Sequence, residues 1–535
     1  MSYRVLVSDK LAPEGLERLR AESGIEVEDR PGLPAEELLG CIGDYDALIV
    51  RSGTKVTDEV IQAGERLKVV GRAGIGVDNV DVAAATRRGI VVMNTPGGNN
   101  VTTAEHAISM MLACARLIPA ADASLRAGNW ERSRFTGIEV TGKTLGVIGL
   151  GNIGRVVADR AAGLSMKVVA FDPFMSPGAK PLEADLVSLE ELFQRSDFIS
   201  VHVPLTADTR GLIDAAAIEQ MRPGVRIINC ARGGIVDEQA LEQGLASGKV
   251  AGAALDVFIE EPPAADHPLL KHPSVVVTPH LGASTGEAQT NVAVAIAEQV
   301  SDFLCRGAIT AAVNMPPLTP EQREHLGPFL DLGEKLGALV SQLGTTATEP
   351  AGAPVSVSVD YRGEVADHGT KTVTAAILRG LLRPMLGDEL NYVSSPAMAR
   401  ERGISVQETI STGPGDYRNR IGLKVSFASG VEHEVAGAVF GRKTVRLVKI
   451  NDFFLEAVPE GYILMLNNRD VPGVVGRVGT LLGESGVNIA GLELGREGIG
   501  QSAVSLFHVD EPVSDETLAR VRELPQILNA VLLRL

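Results

Sequence analysis

Short apolar runs alternate with longer helical stretches over the first 313 residues of the chain. Segments rich in Val, Ile and Leu recur there, among them RVLVSD, DALIV, TLGVIGLG, KVVAFD and SVVVTPH. Runs of this kind are typical of fully buried strands, and the stretches between them are typical of crossover helices. The pattern therefore predicts parallel sheets covered by helices.

One segment, TPGGNNVTTAEHAISMMLACAR, interrupts this alternation. It places Pro96, Gly97 and Gly98 before a long apolar helix, and its T-x-x-E pair, Thr102 and Glu105, has the spacing of a capping box. We interpret it as the first crossing between two Rossmann-like, doubly wound domains, with a return crossing near residues 282–297. The predicted domains are residues 1–98 together with 284–316, and residues 99–283.

The pattern changes after Asn314, where MPPLTP forms a proline-rich linker. PVSVSVDYRG, LKVSFASG and TVRLVKI then alternate apolar and polar residues with period two, which predicts an α+β domain with an antiparallel sheet over residues 317–455. Residues 456–535 have the order strand, helix, strand, strand, helix, strand. This βαββαβ order predicts a ferredoxin-like unit.

Composition narrows the possible partners. The 535 residues carry a formal net charge of -17, which disfavours nucleic acid because such a surface repels phosphate backbones. The four cysteines are far apart in sequence and predict neither a disulfide scaffold nor a metal site: Cys41, Cys114, Cys230 and Cys305. No apolar run reaches about 18 residues, and the N-terminus lacks a signal-peptide pattern. We expect a soluble, cytoplasmic protein with no membrane partner.

A glycine-rich turn predicts the cofactor. Gly149-Leu150-Gly151-Asn152-Ile153-Gly154 follows the strand TLGVIGL and opens a helix, which is the context of a dinucleotide-binding fingerprint. Its glycines permit a tight turn, close approach of the pyrophosphate and packing of helix on strand. Asp172 ends the next strand, where a carboxylate accepts hydrogen bonds from ribose hydroxyls and repels a 2'-phosphate. The prediction is NAD rather than NADP, and the alternative is a turn that binds nothing.

Three polar residues follow predicted strands, at the edge where open α/β sheets bind ligands: Arg232 in NCARGGIVDE, Glu261 in DVFIEEPP and His280 in VVVTPHLGAS. Oxidation of a secondary alcohol needs a base for the hydroxyl proton, a cation for the substrate anion, and a group that controls the base. His280, Arg232 and Glu261 are of those three types. Taken singly, each also fits a structural role in a loop, a surface ion pair or a turn.

Together these motifs resemble the D-isomer-specific 2-hydroxyacid dehydrogenases. The resemblance covers about residues 1–313 and rests on RAGIGVDNVD, NTPGGNN, GLGNIG, NCARGGIVDE, DVFIEEPP and PHLGAST. It implies that Arg232 binds substrate, that Glu261 pairs with the base and that His280 is the acid/base. It also implies that Gly74, Ile75 and Gly76 present N–H groups to the substrate carboxylate, and that the nicotinamide side of the site is lined by Val203, Cys230, Ala231, Asp256, Gly282 and Ala283.

Three further cations favour a phosphorylated substrate. Arg51 and Arg72 stand where strands of the first domain end, and Arg134 lies in WERSRFTGIEV. A dianionic phosphate favours several charge-assisted contacts, although each arginine could be merely solvated. Within the family the chain resembles the long, four-domain members that oxidise D-3-phosphoglycerate in L-serine synthesis. We expect a homo-oligomer, a tetramer made from dimers.

By the same resemblance, residues 456–535 form an ACT domain, a regulatory unit that binds amino acids at paired interfaces. Asn468 and Asp470 are predicted on the loop before its first helix and Asn488 at the start of the next strand, as contacts for a serine effector. The alternative is a unit that only dimerises. For Lys443 and Arg446 in the preceding domain, a solvated strand edge is favoured over an anion site.

Two other functions stay open at this point. One is reduction of glyoxylate or hydroxypyruvate by the same catalytic residues, although such enzymes are expected to end near residue 320. The other is a dinucleotide-sensing corepressor of similar fold, which would have no use for serine-binding residues in a C-terminal tail.

Overall fold

The structure, a computed structural model, describes residues 2–175, 184–345, 351–411, 416–441, 443–498 and 500–535. These residues form four sheets that follow one another along the chain. The first two sheets are parallel, the third is mainly antiparallel and the fourth is antiparallel. The predicted pair of α/β domains followed by two α+β units is confirmed.

The first sheet is parallel and lies near the N-terminus. Its strands are β1 (Tyr3–Val7), β2 (Ile25–Asp29), β3 (Ala47–Val50), β4 (Val69–Arg72) and β5 (Val91–Met93). Helices α1 (Pro13–Arg20), α2 (Ala35–Cys41), α3 (Asp58–Ala63) and α4 (Val82–Arg87) connect them. The strand order is β2-β1-β3-β4-β5. Every residue of β3 and β5 is buried, which explains their uninterrupted apolar sequences.

The second sheet is also parallel. It contains β6 (Thr144–Ile148), β7 (Lys167–Phe171), β8 (Ala184–Leu186), β9 (Phe198–Val201), β10 (Val225–Asn229), β11 (Val250–Leu255) and β12 (Val275–Val277). Its helices are α5 (Asn100–Arg116), α6 (Ile118–Arg126), α7 (Asn152–Gly163), α8 (Leu189–Arg195), α9 (Ala215–Gln220), α10 (Glu238–Ala246) and α11 (Pro268–Lys271). The order β12-β11-β10-β9-β6-β7-β8 reverses direction between β6 and β9. Ligands of open α/β sheets bind at such a switch point.

Two long helices carry the chain between these domains. The first is α5, and the second is α12 (Gly286–Arg306), whose apolar face enters the core of the first domain through Val292, Ile296 and Val300.

The capping box predicted at Thr102 and Glu105 is wrong. Helix α5 already begins at Asn100, directly after the Pro96–Asn99 turn, so Thr102 lies inside its first turn.

The third domain is built on a six-stranded sheet. Its elements are α13 (Pro320–Thr345), β13 (Pro354–Arg362), α14 (Glu364–His368), α15 (Thr370–Leu386), α16 (Ser395–Glu401), β14 (Ser405–Ile410), β15 (Arg420–Phe427), β16 (Glu432–Phe440), β17 (Thr444–Ile450) and β18 (Phe453–Ala457). The order is β14-β13-β15-β16-β17-β18, with β13 and β14 parallel and the other pairs antiparallel. Arg446 therefore lies on an interior strand, so the predicted strand edge is wrong; Lys443 lies in the turn before it.

The fourth domain has the predicted βαββαβ order. It comprises β19 (Tyr462–Arg469), α17 (Val474–Glu484), β20 (Ile489–Arg496), β21 (Ser502–Val509), α18 (Asp515–Arg522) and β22 (Ile527–Arg534). The strand order is β20-β21-β19-β22, which leaves β20 at one edge of the sheet. At the other edge, Gln342 of α13 donates a hydrogen bond to the carbonyl oxygen of Arg534 and ties the domain to the third one.

Within the described parts of the chain, no single helix combines the length and the hydropathy of a membrane span. Helices α5 and α6 meet that test only as a pair, and they are bent by 62° at the break between them.

Candidate active site

A cleft of about 430 Å³ separates the first two domains. The turn after β4 and the start of α5 form one wall, and the loops after β6, β9, β10 and β12 form the other. Twelve of the residues predicted from the sequence line it: Arg72, Ile75, Gly76, Asn152, Ile153, Val203, Cys230, Ala231, Arg232, His280, Gly282 and Ala283. The parallel strands bring these residues together because their carboxyl ends meet at one edge of each sheet.

His280 and Glu261 form a hydrogen-bonded pair at this edge. Nδ1 of His280 lies 2.7 Å from Oε2 of Glu261, and the other carboxylate oxygen accepts a hydrogen bond from the N–H of Phe258. Glu261 is therefore held at both oxygens. His280 has a φ of 54°, in the left-handed region that residues other than glycine rarely adopt. A backbone of this kind persists where surrounding contacts fix it, and such residues cluster at functional sites.

Arg232 crosses the cleft from the second domain to the first. Its Nε donates a hydrogen bond to Oδ2 of Asp78 at 2.9 Å, and its Nη1 donates to the carbonyl oxygen of Ala231. The guanidinium lies directly over Gly76, so closely that a Cβ atom there would overlap Nη2. The guanidinium thus faces the Gly74–Gly76 loop, which the family resemblance assigns to the substrate carboxylate.

Arg72 is the second cation that lines the cleft, and it is partly buried. It packs over Gly74, where a Cβ atom would overlap its guanidinium and where φ is 148°. Burial, with the nearby charge of Arg232, lowers the pKa of Arg72 to about 10, so it stays charged at neutral pH. Its Nε is buried and has no partner in the described chain. A charged, unsatisfied donor facing a cleft is suited to an anion.

The other two predicted phosphate ligands lie elsewhere. Arg51 donates a hydrogen bond to the carbonyl oxygen of Lys10 and is not among the cleft-lining residues of the described chain, although its charge also lowers the pKa of Arg72. Arg134 lies on an exposed 3₁₀ turn, Arg132–Phe135, and pairs with Glu131 at 2.9 Å. Within one chain, the structure therefore brings Arg72 and Arg232 together but not Arg51 or Arg134.

The glycine turn has room for a dinucleotide. Gly149 has a φ of 93°, and a Cβ atom on Gly154 would overlap the carbonyl oxygen of Gly149. Around the Cβ position of Gly151, in contrast, nothing among the described residues lies within 4 Å. Gly151 caps the N-terminus of α7, whose N–H groups favour negative charge. The residues present therefore fit a pyrophosphate.

Asp172 lies beside the same turn. Its Oδ2 accepts a hydrogen bond from the N–H of Leu150, and its Oδ1 accepts one from the N–H of Phe174, each at 2.9 Å. Each carboxylate oxygen keeps a second lone pair that a ribose hydroxyl can use. The carboxylate is thus fixed at the end of β7 with acceptor capacity to spare, as NAD requires.

Asp256 lies behind the cleft wall and is 1% exposed. Its carboxylate, the Cys230 thiol and the His106 imidazole lie within 4.8 Å of one another, three groups of the types that bind metal ions. Sequence spacing predicted no metal site because these residues come from distant segments. Both oxygens of Asp256 already accept hydrogen bonds from protein donors. These hydrogen bonds account for the position of the carboxylate. Burial raises the pKa of the Cys230 thiol, and the charge of Asp256 adds to that effect.

Sequence reasoning missed three residues at this site. Asp78 pairs with Arg232, His106 approaches Asp256 from helix α5, and His202 lines the cleft after β9. Burial lowers the pKa of His202 to about 4, so it is neutral at pH 7. Its position just beyond an apolar strand was a usable signal, the same one that identified His280. Nothing in the sequence pointed to the other two contacts, because each joins segments more than 140 residues apart.

The predicted effector residues do not meet within one chain. Asn468 is part of β19 rather than of the following loop, is buried, and bonds to Ser505 and to the carbonyl oxygen of Arg469, so that prediction is corrected. Asp470 pairs with Arg496 at the end of β20, and Asn488 precedes the start of the same strand. Eight residues of strand separate them by roughly 26 Å.

Family models match three of the four domains. A family model for the NAD binding domain of D-isomer specific 2-hydroxyacid dehydrogenases matches residues 108–282. A model for the D-3-phosphoglycerate dehydrogenase intervening domain matches residues 325–451, and a model for the ACT domain matches residues 462–526. These matches agree with the α+β and ferredoxin-like units described above.

Solved structures match the first two domains. A glyoxylate reductase from Paecilomyes thermophila is 32% identical and superposes with a TM-score of 0.54, over 58% of this chain and 98% of its own. An NAD-dependent formate dehydrogenase from Staphylococcus aureus, solved in complex with NAD, is 30% identical with a TM-score of 0.52, over 57% of this chain and 96% of its own. Together with the family model, these matches show that the chain binds NAD.

Curated relatives match over nearly the full length. A D-3-phosphoglycerate dehydrogenase from Archaeoglobus fulgidus is 45% identical over 99% of this chain and 100% of its own. The enzyme of the same name from Bacillus subtilis is 40% identical over the whole of both chains. Identity at this level, over the catalytic domains and both C-terminal domains, shows that the chain belongs to the D-3-phosphoglycerate dehydrogenases, within the D-isomer specific 2-hydroxyacid dehydrogenase family.

Proposed function

We propose that this protein oxidises D-3-phosphoglycerate to 3-phosphohydroxypyruvate with NAD, as the first step of phosphorylated L-serine synthesis. The observation that carries this proposal is the 2.7 Å pair of His280 and Glu261, in which His280 lines a cleft that also holds the cations Arg232 and Arg72. A base and two anion-binding groups are what a phosphorylated 2-hydroxyacid requires.

The cofactor would be held by the turn at Gly149, Gly151 and Gly154, with the ribose hydroxyls at Asp172. When bound, NAD supplies the hydride acceptor. The cleft walls at Val203, Ala231 and Ala283 would exclude water from the reacting atoms once the domains close.

His280 would remove the proton from the C2 hydroxyl. Its Nδ1 donates a hydrogen bond to the Glu261 carboxylate, which leaves Nε2 free to accept the proton. As the imidazole becomes positively charged, the neighbouring carboxylate stabilises it. Because Glu261 is fixed by the N–H of Phe258, it also fixes the orientation of the ring.

The two cations of the cleft would divide the substrate's charges. Arg232 offers the planar fork that matches a carboxylate, and it lies over the Gly76 loop. Arg72 lies on the same side of the cleft, and its buried, unpaired Nε can be satisfied by a substrate oxygen. A carboxylate would compete with Asp78 for Arg232, so substrate binding and release of Asp78 would be coupled.

The decisive test measures NADH production from D-3-phosphoglycerate, with D-glycerate and D-lactate as controls at the same concentration. We expect kcat/KM for the phosphorylated acid to exceed that of both controls by about 10- to 100-fold, since the charge-assisted contact with Arg72 is lost without the phosphate while the carboxylate contact with Arg232 is kept. Equal turnover of glycerate would contradict the substrate assignment while leaving the dehydrogenase chemistry intact. Reduction of glyoxylate or hydroxypyruvate is measured in parallel.

We further propose that L-serine regulates the enzyme through the fourth domain. Asp470 and Asn488 lie at opposite ends of the edge strand β20, which also presents the exposed side chains Leu492 and Leu494. Antiparallel pairing of β20 with its copy in a second subunit would bring Asp470 of one chain near Asn488 of the other. A serine between them would meet a carboxylate and an amide, with Asn468 beneath as support.

Inhibition of NADH production by L-serine tests this regulation. We expect inhibition of the wild type, with loss of inhibition in Asp470→Asn and Asn488→Ala but not in Glu516→Gln, an exposed acidic residue on α18. Serine insensitivity of the wild type would leave the fourth domain with a role in dimerisation only.

The proposed assembly is a cytoplasmic homotetramer. The exposed apolar edge of β20 supports a contact between subunits, and the four cysteines are unpaired, as in a reducing compartment. Light scattering coupled to size-exclusion chromatography measures the number of subunits, and a monomer would contradict the proposal.

A further inference from the structure

The turn that carries His280 is attached to one buried carboxylate. Asp256 accepts hydrogen bonds from Oγ1 of Thr278 at 2.6 Å, from the N–H of Leu281 at 2.7 Å and from the N–H of Gly282 at 2.8 Å. Its own carbonyl oxygen accepts the N–H of His280 at 2.9 Å. Residues on both sides of His280 are thus tied to Asp256, which explains how the left-handed backbone of His280 is maintained.

His106 of helix α5 is the remaining partner of this carboxylate. Its Nε2 lies 3.2 Å from Oδ1 of Asp256 and 3.1 Å from Oγ1 of Thr278. The ionised carboxylate has no proton, and the single hydroxyl proton of Thr278 is directed at Asp256. Nε2 of His106 must therefore carry a hydrogen and donate it to this pair.

Helix α5 holds the same segment at a second point. Thr102, one turn before His106, lies with its hydroxyl 3.3 Å from that of Thr285, at the start of α12. Thr103 packs against Gly282, whose Cβ position lies 3.3 Å from its methyl group. Helix α5, which makes the first crossing between the domains, thus contacts the segment that makes the second crossing. The turn that carries His280 directly precedes that segment.

We propose that His106 is a positioning residue for the catalytic His280, acting through Asp256 and Thr278. The proposal rests on the proposed function, since it assumes that His280 is the base. The hydrogen bond from Nε2 orients the Asp256 carboxylate, and the carboxylate fixes the backbone of Thr278–Gly282. Without that donor, Asp256 loses one of its buried contacts, and the turn relaxes away from the strained geometry that directs His280 into the cleft.

Two substitutions separate this role from a general packing role. In His106→Gln the side-chain amide nitrogen stands where Nε2 stands in histidine, so the donor to Asp256 is kept. In His106→Asn the amide nitrogen stands at the Nδ1 position and cannot reach. We expect the Gln variant to stay within about threefold of the wild-type kcat for the oxidation and the Asn variant to lose about 10- to 100-fold, the effect of one buried charge-assisted hydrogen bond. The affinity for NADH, measured by fluorescence, should change little in either.

A measurement without substrate keeps the inference independent of the proposed reaction. Amide hydrogen exchange reports directly on the N–H groups of Leu281 and Gly282, which donate hydrogen bonds to the Asp256 carboxylate. Exchange at these two amides should become faster in His106→Asn and stay at the wild-type rate in His106→Gln. Equal behaviour of the two variants, in kcat or in exchange, would overturn the proposal. Failure of D-3-phosphoglycerate as a substrate would leave the exchange result to stand.

Discussion

Gly76 of the first domain and Arg232 of the second meet so closely across the cleft that a Cβ atom on residue 76 would overlap Nη2 of Arg232. The glycine is therefore required by the position of the guanidinium and not by its own backbone, since its φ lies outside the left-handed region that favours glycine. This contact links the loop predicted for the substrate carboxylate to the cation predicted to bind it.

Gly76→Ala should displace Arg232 without disturbing the cofactor site. We expect KM for the hydroxyacid to rise at least about tenfold, because a misplaced guanidinium loses its charge-assisted contacts. NADH affinity should stay near wild type. Steady-state kinetics and NADH fluorescence measure the two quantities, and Gly163→Ala is the matched control because its Cβ position is open. An unchanged KM would show that Arg232 does not contact the substrate.

The glycine turn predicts two different outcomes for neighbouring glycines. Gly151→Ala adds a methyl group to empty space, so the melting temperature should be unchanged, whereas the same methyl group would meet a bound pyrophosphate. We expect NADH affinity to fall at least about tenfold, the effect of losing about 1.4 kcal/mol. Gly154→Ala should lose both affinity and melting temperature, because its Cβ overlaps the carbonyl oxygen of Gly149. Normal NADH binding by Gly151→Ala would place the pyrophosphate elsewhere.

Local signals in the sequence predicted most of this cleft. The glycine turn, Asp172, Arg232 and His280 each follow an apolar strand, and parallel sheets bring such positions to one edge whatever the connecting loops do. The same reasoning could not show whether Arg51 or Arg134 reaches the cleft. That outcome depends on side-chain direction and, for Arg134, on an exposed turn that a second subunit could cover.

Contacts between distant segments were beyond the sequence. His106 meets Asp256 because α5 returns across the second sheet, and no periodicity in either segment indicates that crossing. The capping box at Thr102 failed for a related reason: a local spacing rule identified a helix start, whereas the turn at Pro96–Asn99 places the N-cap at Asn99, three residues earlier. Local rules predict which elements form better than where they begin.

Removing the base should separate chemistry from binding. His280→Ala is expected to lower kcat by roughly 10² to 10⁴ while NADH affinity is retained, because the imidazole acts in proton transfer. Glu261→Gln keeps the shape of the side chain but removes the charge beside Nδ1, so a smaller loss of kcat is expected. Stopped-flow measurement of the first turnover distinguishes hydride transfer from product release. Parallel loss of NADH affinity in His280→Ala would contradict the assigned role.

His202 should make the second domain less stable at acid pH. Burial lowers its pKa from 6.5 to about 4, and its Nε2 lies 2.8 Å from Oγ of Ser200. Between these two values the unfolded chain binds a proton at this site and the folded chain does not, so the free energy of unfolding falls as the pH falls from 6.5 toward 4. At pH 5 the loss amounts to about 2 kcal/mol, from roughly 1.5 units at 1.36 kcal/mol each.

His202→Gln should lose that sensitivity while its amide keeps the contact with Ser200. We expect the drop in melting temperature between pH 7 and pH 5 to be smaller in His202→Gln than in the wild type, with scanning calorimetry resolving the transition of the second domain. His272→Asn, at a partly exposed histidine of the same domain, should keep the wild-type drop. If the melting temperature of His202→Gln drops as much as that of the wild type, the acid sensitivity arises from other groups, because the glutamine does not titrate.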